Sequence, residues 1–398
     1  MELKKVIVVL YGKEKHEIIS NGIKAHLAGF SKEYDIVSIN DEAFITNYSA
    51  VFKRKFYTFC QRNANWLYSV YSNLSEKKSL RIFNKQKRKI EYIQKTGTQA
   101  DRLKKKVAYV KNILLRFNPV AVVCLTPSSL KLALLVREMY GIDTKVISFM
   151  VDFGTDLRFL DLRCDKFFAA NEEVMKKLLK HGISEDRVVV TGVPYADNIK
   201  ETLNKAKCRA EFNIANDYPL VVLSGGRYGS LCVIDDFNRI LESICQFNFI
   251  ALTGGNKKMG ALMKAIKNDD EGKNIQVLDE ADMKKLLTAA DIFVTVPTTD
   301  DVLNGIIYGC AVIVTNPLSM IEKSNYAFFK HSGIARCSRN AHTTSLAVTE
   351  LLLEEKEKKK LTDAAKNYIR HEKETDTRKI IELVENKNDQ TYSDVPIE

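Results

Sequence analysis

PLVVLSGGRYGSL, residues 219–231, is the stretch from which the fold can be read. Leu220-Val221-Val222-Leu223 is a short apolar run of the kind buried in a parallel sheet. Ser224-Gly225-Gly226 then breaks it, Gly229 follows, and Val233 to Phe247 has helical spacing. Strand, glycine turn and helix start open a crossover unit. Glycines let a backbone approach a ligand closely, and the first N–H groups of a helix carry partial positive charge. A phosphate is the natural guest, although a tight turn that binds nothing is written in the same letters.

Working outward, the same alternation continues. Strands are expected at Phe249–Thr253, 275–278, 292–295 and 311–314, with helices at 258–266, 282–289 and 301–308 between them. A second glycine turn, Gly254-Gly255-Asn256, follows the next strand. Upstream the pattern is similar: strands at Val6–Leu10, Tyr34–Ile39, 120–125, 146–151, 164–171 and 188–194, with helices between most of them. The chain therefore reads as α/β, with two Rossmann-like domains whose parallel sheets face a cleft. The expected division is 1–200, 201–370, and a C-terminal helix and loose tail over 371–398.

Composition excludes several classes. The 398 residues are 45% hydrophobic and 28% charged, as in globular domains. Eight scattered cysteines form no CxxC pair, which argues against a zinc site and fits a reducing compartment. The apolar run behind Lys4-Lys5 is too short for a signal sequence, and no stretch reaches the roughly 18 residues of a membrane span. The net charge of +11 is concentrated: thirteen Lys and Arg stand against two acids between Lys77 and Lys111. Such an excess suits an anionic partner, and equally a solvated helical face.

Residues 44–111 interrupt the alternation as an insertion. Its first part is dense in aromatics, including Phe56, Phe59, Trp66, Tyr68 and Tyr71, with Lys53, Arg54, Lys55 and Arg62 between them. Rings at headgroup depth and cations toward anionic lipid describe a membrane-facing segment; a helical subdomain with an aromatic core has the same composition. Each Lys or Arg near an anionic surface adds roughly 1 kcal/mol.

Several segments together resemble the GT-B glycosyltransferases of family 28, and within it the monogalactosyldiacylglycerol synthases and processive diacylglycerol glucosyltransferases. More distantly, they resemble the lipid-intermediate N-acetylglucosaminyltransferase of peptidoglycan synthesis. YGKEKHEIISNGIKAHL is similar to the family's first glycine loop, with His16 at the histidine and Lys15 in the glycine's place. VDFGTDLRF (151–159) resembles a Thr-Asp-Phe motif, keeping Asp152 and Phe153. FFAANEEVMKKLLKHGISEDRVVVTGVP (167–194) follows the family pattern throughout. LSGGRYG and LTGGN resemble the two glycine turns of the donor domain, and PLSMIEKSNYAFF keeps Glu322 and Asn325 of a Gly-Gln-Glu-x-x-Asn pattern. The donor loop departs: the family's Pro-Gly-Gly-x-Thr-x-x-Glu-Ala becomes Pro297-Thr298-Thr299-Asp300-Asp301-Val302-Leu303-Asn304-Gly305, with Asn304 at the glutamate.

The resemblance implies an inverting, metal-independent transfer of a sugar from a UDP-sugar to a membrane lipid such as diacylglycerol. It also implies that the C-terminal helix returns to the first domain. No cofactor is implied. Asp152 is then the expected base and His16 its partner at the acceptor or the donor phosphate. Gly225, Gly226, Arg227, Gly255, Asn256, Thr298, Thr299, Asn304, Glu322 and Asn325 are the expected donor contacts. Trp66, Tyr68, Tyr71 and Phe153 are the expected acceptor and membrane contacts. The implied partners are the UDP-sugar, the lipid and an anionic membrane surface, not nucleic acid. The implied location is the cytoplasmic face of the cell membrane. The altered donor loop keeps a second reading open, a catalytically impaired GT-B-like protein that binds nucleotide or lipid without transfer.

Overall fold

The computed structural model describes residues 4–12, 14–40, 48–86, 98–194, 203–214, 217–267, 274–372 and 378–385. Side chains at 14–18, 48–54, 85, 87–105 and 369–377 are outside that description, as is the last part of the chain from 386. Among the described residues the strands form two six-stranded sheets, and the chain divides into two compact units, one built on each.

The first unit comprises Met1–Lys53, Leu74–Ile199 and Glu372–Glu398. Its strands are β1 (Lys5–Tyr11), β2 (Tyr34–Asn40), β3 (Ala121–Cys124), β4 (Lys145–Phe149), β5 (Lys166–Ala169) and β6 (Val188–Val190), in the order β2-β1-β3-β4-β5-β6. All pair in parallel, as continuous apolar runs such as Ile7-Val8-Val9-Leu10 require. Around them run α1 (Glu14–His26), α4 (Thr98–Phe117), α5 (Pro127–Tyr140) and α6 (Glu172–Lys180). Local chemistry sets the ends of α5: Thr126 accepts a bond from Ser129 N, Pro127 opens the first turn, and Gly141 closes the helix in the left-handed region. Val8, Leu10, Val122, Leu134, Val146 and Phe167 share one buried cluster. The expected return of the C-terminal helix is present: α15 (Lys379–Glu385) belongs to this unit, and Tyr34 Oη donates to Glu385 Oε1 at 3.2 Å.

The second unit comprises Arg54–Asn73 and Lys200–His371. Its sheet contains β7 (Leu220–Ser224), β8 (Asn248–Leu252), β9 (Ile275–Leu278), β10 (Ile292–Thr295), β11 (Ala311–Val314) and β12 (Arg336–Cys337), ordered β12-β11-β10-β7-β8-β9. The helices are α7 (Lys205–Glu211), α8 (Ile234–Leu241), α9 (Lys257–Lys267), α10 (Met283–Ala289), α11 (Thr299–Ile307), α12 (Met320–Ser332), α13 (Ala341–Leu353) and α14 (Glu355–Glu372). The chain winds outward from β7 in both directions, so the sheet has a topological switch point between β7 and β10. Crevices at the carboxyl ends of such strands are where open α/β sheets bind ligands.

Two expectations change. The helix expected over Val233–Phe247 is only α8, preceded by a 3-10 turn at Leu231–Val233. Past Leu241 the chain leaves the helix, and Phe247 packs in the core beside Phe249, with ring centroids 5.9 Å apart. The insertion is also divided. It contains α2 (Tyr48–Asn63), α3 (Asn65–Gln86) and α4, but Arg54–Asn73 groups with the second unit. Residues 41–47 and 87–97 of that region, with much of the lysine-rich run, lie outside the described residues. No helix among the described residues is long and apolar enough to cross a membrane.

Candidate donor-binding site

The two glycine turns of the second unit are packed against each other, and that contact accounts for several of their glycines. At Gly229 (φ +62°) an added Cβ would lie 1.7 Å from Thr253 O, and at Gly254 (φ +54°) 2.6 Å from Gly229 N. No other residue fits either position. Asn256 clasps the pair: its Nδ2 donates to Gly229 O at 2.7 Å while its Oδ1 accepts from Met259 N at 3.4 Å, at the start of α9. The first turn closes on itself through Ser230 N to Gly225 O at 2.9 Å and Gly226 N to Ser224 Oγ at 3.1 Å. Gly255 follows in the left-handed region, with Arg62 beside it.

The phosphate seat expected at a helix start directly after Gly225-Gly226 takes a different form. Helix α8 begins only at Ile234, and its first turn already carries Asp235 and Asp236. Asp236 is fully buried, accepts from Thr315 Oγ1 and Asn316 Nδ2, and has its carboxyl pushed upward by burial. The positive end of that helix is compensated from within.

Across the switch point lies the altered loop. Thr298 caps α11: Asp301 N donates to its Oγ1 at 3.3 Å, and its hydroxyl donates to Asp301 Oδ2 at 2.6 Å. Thr299 is buried, and Asn325 Nδ2 donates to Pro297 O at 3.0 Å and to Thr299 Oγ1 at 3.4 Å. Asn325 therefore holds this loop in shape. Asn304 lies half-buried on α11. Glu322 is occupied: its Oε2 accepts from Leu318 N and Ser319 N at 2.8 and 3.0 Å, completing a capping box on α12. A Cβ on Gly226 would reach within 2.9 Å of Val296 Cγ2, so the glycine turn and this loop form adjoining walls.

A third wall comes from the insertion. The corner joining α2 to α3 is seated on the glycine turns. Arg62 Nε donates to Tyr228 O and Arg62 Nη2 to Gly254 O, both at 3.0 Å. Asn65 and Ser230 meet through side chains 2.9 Å apart, and Asn256 Nδ2 also reaches Arg62 O at 3.4 Å. Nothing in the sequence singles out Arg62 from its basic neighbours. Tyr68, expected to face lipid, is instead buried: its hydroxyl donates to Glu322 Oε1 at 3.2 Å, and Tyr57 packs edge-on against its ring. Burial, then the Glu322 charge, push its phenol well above its ordinary range. Trp66 and Tyr71 do reach the surface, 70% and 47% exposed. On α3, Trp66, Val70 and Leu74 recur every fourth residue on one exposed stripe, followed by exposed Lys77, Lys78 and Arg81. On α2, Phe56, Phe59 and Lys55 are exposed as well. Arg227 is exposed, its guanidinium 5.9 Å from the centroid of the Tyr228 ring.

In the first unit, Asp152 is half-buried three residues past β4. The loop that carries it is tied down. Asn171 Nδ2, at the cap of α6, donates to Phe153 O at 2.9 Å. Phe153 is buried, so its ring belongs to the interior and not to a lipid-facing surface. Asp156 caps the following 3-10 turn and forms a forked pair with Arg158. Glu76 accepts from Leu157 N at 3.4 Å, and burial followed by the Asp156 charge raise its carboxyl above its usual range. His16 lies within α1, and its side chain is outside the described residues.

A depression lined by Lys205, Arg209, Asp217, Tyr218 and Asp291 lies at the opposite, amino-terminal end of the second sheet. Its charges neutralise one another: Asp291 pairs with Lys205 at 2.7 Å and with Arg209 at 2.6 Å.

Residues 16–195 match the model of the monogalactosyldiacylglycerol (MGDG) synthase family. The chain is similar to a processive diacylglycerol beta-glucosyltransferase of Bacillus licheniformis, 24% identical over 289 residues that cover 72% of this chain and 71% of that one. A glycosyltransferase structure from Rickettsia africae superposes with a TM-score of 0.61 at 13% identity, covering 96% of this chain and 98% of that one. A UDP-GlcNAc 2-epimerase from Neisseria meningitidis, bound to UDP-GlcNAc, superposes at 0.58 and 13% identity, covering 92% and 99%. The architecture is that of the GT-B glycosyltransferases. Because an epimerase shares it, the fold does not by itself choose the chemistry.

Proposed function

We propose that this chain transfers a sugar from a UDP-sugar to the hydroxyl of a membrane lipid of the diacylglycerol class, inverting the anomeric carbon. The observation that carries the reading is the match of residues 16–195 to the MGDG synthase model, on a chain whose α3 exposes an apolar stripe continued by lysines. In this reading the second unit holds the donor at its switch point. Arg227 receives the diphosphate, which the Gly225-Gly226 and Gly255 turns admit close to the backbone because these glycines carry no side chains. Thr298, Thr299 and Asn304 line the nucleoside side, with Asn325 and Glu322 holding the loop that carries the two threonines and the start of α12. The first unit holds the lipid.

The step is a single displacement. Asp152 takes the proton of the acceptor hydroxyl as its oxygen forms a bond to the anomeric carbon. The bond from that carbon to the β-phosphate oxygen breaks, and UDP leaves with the electron pair. Fixed donors at the leaving diphosphate lower the barrier, because that is where charge develops. In this reading the step needs no metal, and His16 orients the acceptor or the donor phosphate. Trp66 and Tyr71 anchor the enzyme to an anionic bilayer.

The test uses vesicles of phosphatidylglycerol and diacylglycerol with UDP-glucose, UDP-galactose or UDP-GlcNAc, and mass spectrometry of the lipid. A hexosylated lipid from one donor is expected, with Asp152→Asn lowering kcat by roughly 10²–10⁴-fold. Nucleotide binding without a glycolipid from any donor would support the impaired, binding-only alternative.

A further inference from the structure

We propose that Arg62, carried by the α2–α3 corner, is a donor-binding residue that contacts the diphosphate of the nucleotide. The inference rests on the reading of the second unit as the donor site, and deepens it. It comes from an imbalance of charge at the switch point. Three of the helices around it carry acids in their first turns, Asp235 and Asp236 on α8, Asp300 and Asp301 on α11, and Glu322 on α12, while α9, after the second glycine turn, opens with the exposed Lys257 and Lys258. A diphosphate brought to such a crevice requires cations from elsewhere. Arg227 is one, at the tip of the first glycine turn.

Arg62 is the other. Its guanidinium is held at both turns at once, by Tyr228 O and Gly254 O, and lies 3.7 Å from where a side chain on Gly255 would begin. A guanidinium has five donors in a rigid fork, so the two bonds that position it leave others to give. The fork is thereby oriented before any ligand arrives, which is how arginine binds phosphate with little loss of freedom. The corner itself is fixed by the Asn65–Ser230 and Tyr68–Glu322 contacts, so Arg62 is presented from a seated element. The α2–α3 corner therefore carries both a cation for the donor, Arg62, and the start of the exposed apolar stripe on α3.

The experiment measures binding of UDP and of uridine to the full-length protein by calorimetry, for wild type, Arg62→Ala and Arg62→Lys, with thermal unfolding of each. Wild type is expected to bind UDP. Arg62→Ala is expected to weaken UDP about tenfold or more and leave uridine within about twofold, and Arg62→Lys to recover part of the loss. Equal weakening of UDP and uridine would make Arg62 a purely structural brace and overturn the proposal, as would an unchanged UDP affinity in Arg62→Ala. Should Arg62→Ala unfold, Arg62→Lys decides on the same criterion, a loss confined to UDP. A wild-type protein that binds neither ligand overturns the donor reading and this proposal with it. A wild type that binds UDP while both variants behave like it overturns only the role of Arg62.

Discussion

Asp291 stands just before β10, yet it fixes the start of β7. Its Oδ2 accepts from Leu220 N at 2.7 Å and from Arg209 Nη2 at 2.6 Å, and its Oδ1 from Lys205 Nζ at 2.7 Å. Burial acts to raise its carboxyl, but the Lys205 and Leu220 bonds and the Arg209 charge outweigh it and hold the group below the usual carboxylate range. Asp291→Asn leaves the buried Arg209 charge without its counter-ion and is expected to cost about 3 kcal/mol at pH 7. The ionised form is favoured by folding, so its contribution is present above the unfolded value near pH 4 and is lost as pH falls through the lower folded value. Urea unfolding of both proteins at pH 7 and at pH 3 should show a gap that narrows in acid; an equal gap at both would refute the assignment. The sequence concealed this pairing as it concealed Arg62, because an ion pair spanning tens of residues leaves no local pattern. The glycine turns were legible, since Gly225-Gly226 and Gly254-Gly255 each follow an apolar run, but the reason for Gly229 and Gly254 was not: each makes room for the other turn.

Helix α12 shows how one set of letters carries two meanings. Ser319-Met320-Ile321-Glu322 satisfies the Ser-x-x-Glu signature of a capping box, and the structure uses it so. The resemblance to a donor motif drew the reading elsewhere, and α12, α13 and β12 went unassigned. Asn325, one turn on, ties this helix to the loop at 297–299. Asn325→Ala removes both bonds and leaves Pro297 O buried without them, an expected loss of about 1–2 kcal/mol in denaturant unfolding. If Asn325 also holds the loop in its donor-binding shape, KM for the UDP-sugar rises several-fold while kcat changes little. A loss of stability with KM unmoved would reduce Asn325 to a brace. The end of α5 at Gly141 and the extent of α6 were readable from local residues, whereas α5 begins at Pro127 under the Thr126 cap, three residues before the Leu130 start that the spacing suggests. Helix α8 ends at Leu241, short of the Val233–Phe247 span, because apolar spacing continues past the helix into a buried residue of the following loop, Phe247.

The whole chain joins a basic composition to an apolar, aromatic outer face on α2 and α3. Flotation with phosphatidylglycerol vesicles is expected to capture the wild type at low salt and less of it at 0.5 M salt, since surface attraction is screened over a few ångströms there. Trp66→Ala with Tyr71→Ala should weaken capture about tenfold. Capture unaffected by salt and by both substitutions would remove the membrane from the proposed function. The sequence by itself determined the alternation of strands and helices and the two parallel sheets, while the return of the C-terminal helix to the first of them came only with the resemblance. The alternation and the sheets follow from local periodicity and from short-range turn chemistry, and a buried parallel strand is apolar wherever it lies. Only the tertiary structure decided that Tyr68 and Phe153 face inward, that the first turn of α8 is already filled by its own acids, and that Arg62 reaches Gly254 across 192 residues of chain. Such contacts arise from how elements pack after they form, and a hydrogen bond between residues so far apart has no signature in either one's neighbourhood.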